Sequence, residues 1–285
     1  EREIFPLARR RYIFSGVESF YLFDLYGDDN RVHENVFAYS NEAYGKKSLV
    51  IVNNAYERSW GWLRNSAAYV EEDGSGKRHT RHTHVAEALG LTNDFKSYCI
   101  FREQRSGKWY IRNSAELYQH GLYVGLDGYE TQVYLDVYEV ADSRHSDYAQ
   151  LSDFLRGAGV ESIDRAMKEL YLRPLHAGFS AVANSSTVHG IVTAVGGEGA
   201  QVPVDPEELT ESYARFLSTV EHFADGAADR ESAVREFYRL LSAVCELRHL
   251  DLLHSGKEHR AATAALTARF RTEPAAADSL VAYAL

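Results

Sequence analysis

A change of hydrophobic period near residue 145 constrains this chain more than any other feature. Before it, short apolar runs are broken by Gly, Asp and Asn, as in Phe20-Tyr-Leu-Phe-Asp-Leu-Tyr26, Ser48-Leu-Val-Ile-Val-Asn53 and the longer Thr131-Gln-Val-Tyr-Leu-Asp-Val-Tyr-Glu-Val140. These are strand formers in strand-length blocks. After it, Tyr148, Leu151, Phe154 and Leu155 recur at helical spacing, and Ala, Leu and charged residues displace tyrosine and β-branched residues. The two halves therefore suit different layers, and the expected fold is α+β. An antiparallel β-sheet or sandwich domain is expected over residues 1–145, followed by an all-α helical extension over 146–285. Asp142-Ser-Arg-His145 would be the exposed connection between them.

Local signals place the elements. Asp73-Gly-Ser-Gly76 and Ser106-Gly-Lys108 each separate two strand-like runs, so two antiparallel hairpins are expected. Asn113 and Glu116 have capping-box spacing ahead of a short helix over 115–119, with Gly121 as its stop. Gly157 closes the helix that begins near Ser146, and Ser162 caps a helix from Ile163 to Leu172 that Pro174 would end. Asp205-Pro-Glu-Glu208 supplies an N-cap carboxylate, a proline at N1 and a glutamate at N3, so a helix should run from Pro206 to about Ala224. Further helices are expected over 231–254 and 260–271, with 184–203 as a loop or irregular hairpin.

The charge balance excludes some functions. Lys and Arg number 31 against 41 Asp and Glu, a formal net charge of −10, so a nucleic-acid partner is not expected. No apolar run approaches the roughly 20 residues of a membrane-spanning helix, so no membrane partner is expected either. Cys99 and Cys245 fit no metal or redox spacing and read as buried thiols. With neither signal-peptide features nor a disulfide framework, the cytoplasm is the expected compartment. The chain starts at Glu1 and its single methionine is Met167, which reads as a fragment or a processed product.

Few residues carry a chemical signature. His79, His82 and His84 fall in one strand-like run, and His82 with His84 would share a face. Arg78, Arg81 and threonines interleave them beside a Gly-rich turn, so a solvated hairpin is the better reading and no metal is assigned. There is no Gly-x-Ser-x-Gly elbow, and Gly196-Gly-Glu-Gly199 lacks the Lys-Ser/Thr of a phosphate loop. No catalytic residue and no cofactor are therefore assigned. The segment from Asn53 to Trp62 is more informative. Sugar rings stack their apolar faces on aromatic rings while their hydroxyls need fixed amide partners. Asn53, Asn54, Tyr56, Trp60 and Trp62 offer both, and are the candidate carbohydrate-binding residues. Core packing of Trp60 and Trp62 is the competing reading.

Arg9-Arg-Arg-Tyr-Ile-Phe-Ser-Gly-Val-Glu-Ser-Phe-Tyr-Leu-Phe-Asp24, Asn35-Val-Phe-Ala-Tyr-Ser-Asn41, Ser48-Leu-Val-Ile-Val-Asn-Asn-Ala-Tyr56 and Gly61-Trp-Leu-Arg64 resemble one family. They are similar to the segment after the catalytic barrel in large bacterial α-amylase-like proteins of glycoside hydrolase family 13. Tyr98-Cys-Ile-Phe-Arg102, Tyr110-Ile-Arg-Asn-Ser114, Gly121-Leu-Tyr-Val124 and Tyr148-Ala-Gln-Leu151 extend the resemblance, which covers about residues 4–175. It implies a non-catalytic C-terminal region whose partners are an upstream barrel of the same polypeptide and an α-glucan. A retaining glycosidase needs two carboxylates about 5 Å apart. The family's Gly-x-Arg-x-Asp and His-Asp motifs are missing from this sequence.

Two rival readings stand beside it. One is a complete small enzyme in which Glu34, Asp127, Glu130 and Asp136 converge with histidines in a cleft between the halves. The other is a protein-interaction module built on the helical tail.

Overall fold

The computed structural model describes residues 4–196, 205–224, 229–246 and 257–272. The α+β expectation is met, with an antiparallel sheet in the first half and helices in the second. The chain divides into two compact units, Glu1–Leu170 and Tyr171–Leu285.

The first unit is built on ten strands: β1 (Tyr21–Tyr26), β2 (Val36–Ala43), β3 (Lys46–Asn53), β4 (Ser59–Ser66), β5 (Tyr69–Glu72), β6 (Arg78–Arg81), β7 (Ser97–Glu103), β8 (Trp109–Asn113), β9 (Leu122–Leu126) and β10 (Thr131–Ala141). Eight form one curled antiparallel sheet in the order β8-β7-β10-β3-β2-β1-β4-β9, while β5 and β6 pair only with each other. Both predicted hairpins form, β5 with β6 and β7 with β8. Period-two alternation sends Phe23, Leu25, Ala38, Leu49, Ile51 and Leu63 into the main core.

The inner face is closed by α2 (Val85–Ala88) and α3 (Ser114–His120), which bury Val85, Ala86 and Leu117. The Asn113 half of the expected capping box forms, its Oδ1 accepting from the N–H groups of Ala115 (3.0 Å) and Glu116 (3.2 Å). Gly121 then leaves the helix at φ 85°, ψ −168°, a conformation open essentially to glycine alone.

Other elements cover parts of the outer face. Leu7 of α1 (Ile4–Arg9) and Phe14 of the following 3-10 turn pack against Val50, Val133 and Leu135. Leu151 of α4 (Asp147–Leu155) and Ile163 and Ala166 of α5 (Ile163–Val182) pack on Tyr98, Ile100 and Ile111. This second contact moves the boundary. The division expected at residue 145 falls at Leu170, because α4 and the first turns of α5 bury their apolar residues against the sheet. The 142–145 connection is exposed beyond Asp142 but tied down. The Asp142 carboxylate accepts from the N–H groups of Ser143 and Tyr148 at 2.9 Å, and its own N–H donates to the Lys96 carbonyl.

In the second unit, α6 (Ser185–Gly196), α7 (Pro206–Phe223), α8 (Arg230–Glu246) and α9 (Lys257–Thr272) join the remainder of α5. Val182, Ile191, Leu209, Phe237, Leu241 and Val244 form its core. The Asp205 carboxylate caps α7 through the Glu207 N–H at 2.9 Å, as expected.

Two expectations fail here. Pro174 lies inside α5 instead of ending it. The missing hydrogen bond and ring clash cost about 3 kcal/mol, offset by burying Val182 and by the Phe179–Phe216 ring contact further along. Residues 185–196 form a helix instead of a loop, because Asn184 Oδ1 caps it through the Thr187 N–H and Ile191 is completely buried. The rest of that expected loop, and the end of the helix expected to reach residue 254, lie outside the described residues. No helix among the described residues is long and apolar enough to cross a membrane.

Candidate functional site

The alternation that buries Ser59, Gly61 and Leu63 on β4 turns Trp60, Trp62 and Arg64 to the outer face. Next to β4 lies β9, in which Leu122, Val124 and Leu126 point inward and Tyr123 and Gly125 outward. Trp60 is 50% exposed, and its cross-strand partner is Gly125, above which there is open space. Trp62 pairs with Tyr123, their rings meeting edge to face with centroids 5.0 Å apart. The Arg64 guanidinium lies 5.7 Å from the Trp62 ring centroid and the His120 ring 6.3 Å from it. Neither tryptophan plugs the core, so the competing reading of this pair is set aside.

The other candidates separate. Tyr56 is 82% exposed on the β3–β4 loop, and Asn54 is exposed with its N–H donating to the Asn35 carbonyl at 2.8 Å. Asn53 is a correction. It is buried, its Nδ2 donates to the carbonyls of Glu57 (2.7 Å) and Asp127 (3.0 Å), and its Oδ1 accepts from the Ala55 N–H. Both amide donors fix the turn, which leaves none for a ligand hydroxyl.

Beside the aromatic pair lies a cleft of about 740 Å³. It opens between β8 and β9, the two ends of the eight-strand order, with α3 linking them and the end of α4 on its rim. Trp62 and Tyr123 line it together with Arg112, Glu116, Asp153 and Arg156. Arg112 is anchored: it donates to the carbonyls of Ile111 (2.8 Å) and Gly157 (3.0 Å) and stacks over Tyr110 at 5.8 Å. Burial lowers its pKa, against an opposing pull from Tyr134, Tyr110, Cys99 and Glu116. A guanidinium stays protonated under such a shift and remains a fixed hydrogen-bond donor. Of these residues the sequence points only to Trp62 as a ligand contact, and Tyr123, Arg112, Glu116, Asp153 and Arg156 are not among its site candidates. The alternation in Leu122-Tyr-Val-Gly-Leu126 is a strand signal that places Tyr123 on the outer face.

Three of the four acid/base candidates have structural tasks, and the fourth, Glu34, is exposed ahead of β2. Asp136 pairs with Arg10 at 2.6 Å and Asp127 with Arg58 at 2.7 Å, while Glu130 accepts from the Asp127 N–H. Glu130 directly precedes β10 and Asp136 lies at its sixth residue, more than about 15 Å away at strand rise even with the local bulge, so those two cannot share a substrate atom. The histidine run is divided in the same way. His79 faces Glu71 at 3.6 Å, His82 Nδ1 lies 2.7 Å from the Ser66 carbonyl, and His84 Nδ1 accepts from the Ala86 N–H as the cap of α2. His84 also stacks on Tyr118, and burial lowers its pKa. No group of three His, Cys, Asp or Glu side chains suited to a metal forms among the described residues. Burial pushes the Cys99 thiol up to about 12, so it carries no thiolate nucleophile near neutral pH.

No family model matches this chain, and no curated protein matches it.

Proposed function

We propose that the chain is the non-catalytic, post-barrel region of an α-amylase-like glycoside hydrolase, and that its sheet unit braces the barrel and holds α-glucan. The family part of this reading is supported by the resemblance of residues 4–175. The glucan part rests on one observation, the half-exposed Trp60 ring standing opposite Gly125, with Trp62 and Tyr123 continuing the aromatic surface. An uncovered aromatic ring on a rigid strand suits the apolar face of a pyranose. The dispersal of Asp127, Glu130 and Asp136 into structural contacts supports a supporting role over catalysis.

Titration with maltoheptaose, followed by tryptophan emission, tests the glucan role. Trp60→Ala should weaken binding about tenfold or more while the far-ultraviolet circular dichroism is unchanged. An emission spectrum that stays constant at millimolar sugar would remove this role. Immunoblotting of source cells with an antibody against the chain tests the family part. A band far above 32.1 kDa is expected, and a band at that mass with no larger precursor would remove the missing barrel.

A further inference from the structure

The curled sheet stops short of closure, and the opening between its terminal strands has the make-up of a ligand site. We propose that the cleft between β8 and β9 binds an uncharged oligosaccharide, with Trp62 and Tyr123 as its apolar wall and Glu116, Asp153 and Arg156 holding hydroxyl groups. The proposal rests on the glycan reading above and extends it from the open face around Trp60 to the neighbouring half-open cleft.

The cleft is large enough for a small-molecule ligand. About 740 Å³ lies inside the range of small-molecule sites, roughly 300–1,000 Å³. Its charges are balanced. Arg112 and Arg156 oppose Glu116 and Asp153, and among the described residues none of these four side chains forms an ion pair. The signs balance, so the cleft attracts neither a strong anion nor a strong cation. Its lining holds both carboxylate acceptors and guanidinium donors. Hydroxyl groups, which donate and accept at once, match that mixture.

The backbone at Arg156 points the same way. This residue ends α4 in the left-handed conformation, φ 46°, where glycine would sit with less strain, and Gly157 follows at φ 87°. An arginine is nonetheless present, and its side chain lines the cleft. Strained non-glycine residues of this kind concentrate at ligand sites.

Calorimetric titration of the whole chain with maltoheptaose, and separately with inorganic phosphate, tests the proposal. Arg156→Gly relieves the backbone strain, so it should leave the melting temperature unchanged or higher while weakening sugar binding about tenfold. Glu116→Gln combined with Asp153→Asn should weaken it comparably, and phosphate should give no binding heat. Sugar binding lost in Trp60→Ala but unchanged in both cleft variants would overturn the cleft site and leave the glucan face standing. Phosphate binding abolished by Arg156→Gly would make this an anion site and also overturn the proposal. No sugar binding at about 10 mM would remove the cleft site and the glucan face together.

Discussion

Arg10 reaches across 126 positions of sequence to donate to Asp136 Oδ1 at 2.6 Å. Asp136 is the point at which β10 steps out of register with β7, and it does so at φ 53°. Two residues of β10, Asp136 and Val137, stand opposite the single Phe101 between the Leu135–Arg102 and Tyr138–Ile100 pairs. This is a bulge, and Asp is among the residues that tolerate its left-handed conformation.

The pair is partly exposed, with side chains 38% and 26% accessible. Arg10→Ala should therefore cost only about 0.5–1 kcal/mol, less at high salt. Asp136→Val loses the same pair and also forces a β-branched residue into left-handed backbone, adding roughly 1–2 kcal/mol. Urea unfolding of both variants checks the order. Equal losses would show that the backbone at 136 relaxes freely.

Gly121 joins α3 to β9 at a place where an added Cβ would collide with the Leu63 carbonyl. Gly121→Ala combines that collision with a forbidden φ, and should lower stability by about 3 kcal/mol or more. Denaturation monitored by tryptophan emission measures the loss. A change below 1 kcal/mol, roughly the level of an ordinary surface substitution, would mean that the α3–β9 junction can shift to make room.

His84 gives the sheet unit an acid-sensitive cap. Its folded pKa lies below the ordinary 6.5, through burial against a smaller opposing effect of Glu87. The unfolded chain therefore binds the proton more readily. Its contribution is present in full above pH 6.5 and falls away as pH drops through the depressed folded value. Protonated Nδ1 cannot accept from the Ala86 N–H. His84→Asn keeps an N-cap without titrating in this range. The melting temperature of the parent, measured from pH 8 downward, should fall more steeply below about 6.5 than that of the variant. Parallel curves would remove His84 as the cause.

Within the sheet unit, trypsin should cut first at Lys77 or Arg78. Residues 73–80 are all exposed, and β5 and β6 pair with nothing but each other. Arg144 is exposed as well, but Asp142 pins the chain on either side of it. Mass spectrometry of early fragments distinguishes the sites. Cleavage at Arg144 ahead of Lys77 would show that the Asp142 contacts open readily.

What was legible in the sequence was local. Asn113, Glu116 and Gly121 placed α3, Asp205 and Pro206 placed α7, and the Gly-rich turns placed two hairpins, because each acts on its own neighbours through the backbone. The misses depend on distant partners. Pro174 is tolerated because Val182 is buried in a core beyond it and Phe179 meets the Phe216 ring, and 185–196 becomes helical because Ile191 is buried. Asn53 looked like a ligand amide and proved to be a staple between the turns at Glu57 and Asp127. Trp60 and Trp62 stand out from composition alone, beside Asn53, Asn54 and Tyr56. The cleft beside Trp62 was hidden, since β8 and β9 meet its two sides only after six other strands have been placed between them.

The bulge at Asp136 has a geometric consequence for that cleft. Tyr134 and Val137 belong to the inner layer and Leu135 to the outer one, so removing residue 136 would leave every side chain of β10 on its present side. What the extra residue supplies is bending. A chain lacking it would keep its pattern and lose its arc, and the two rims that α3 spans would stand further apart on a flatter sheet.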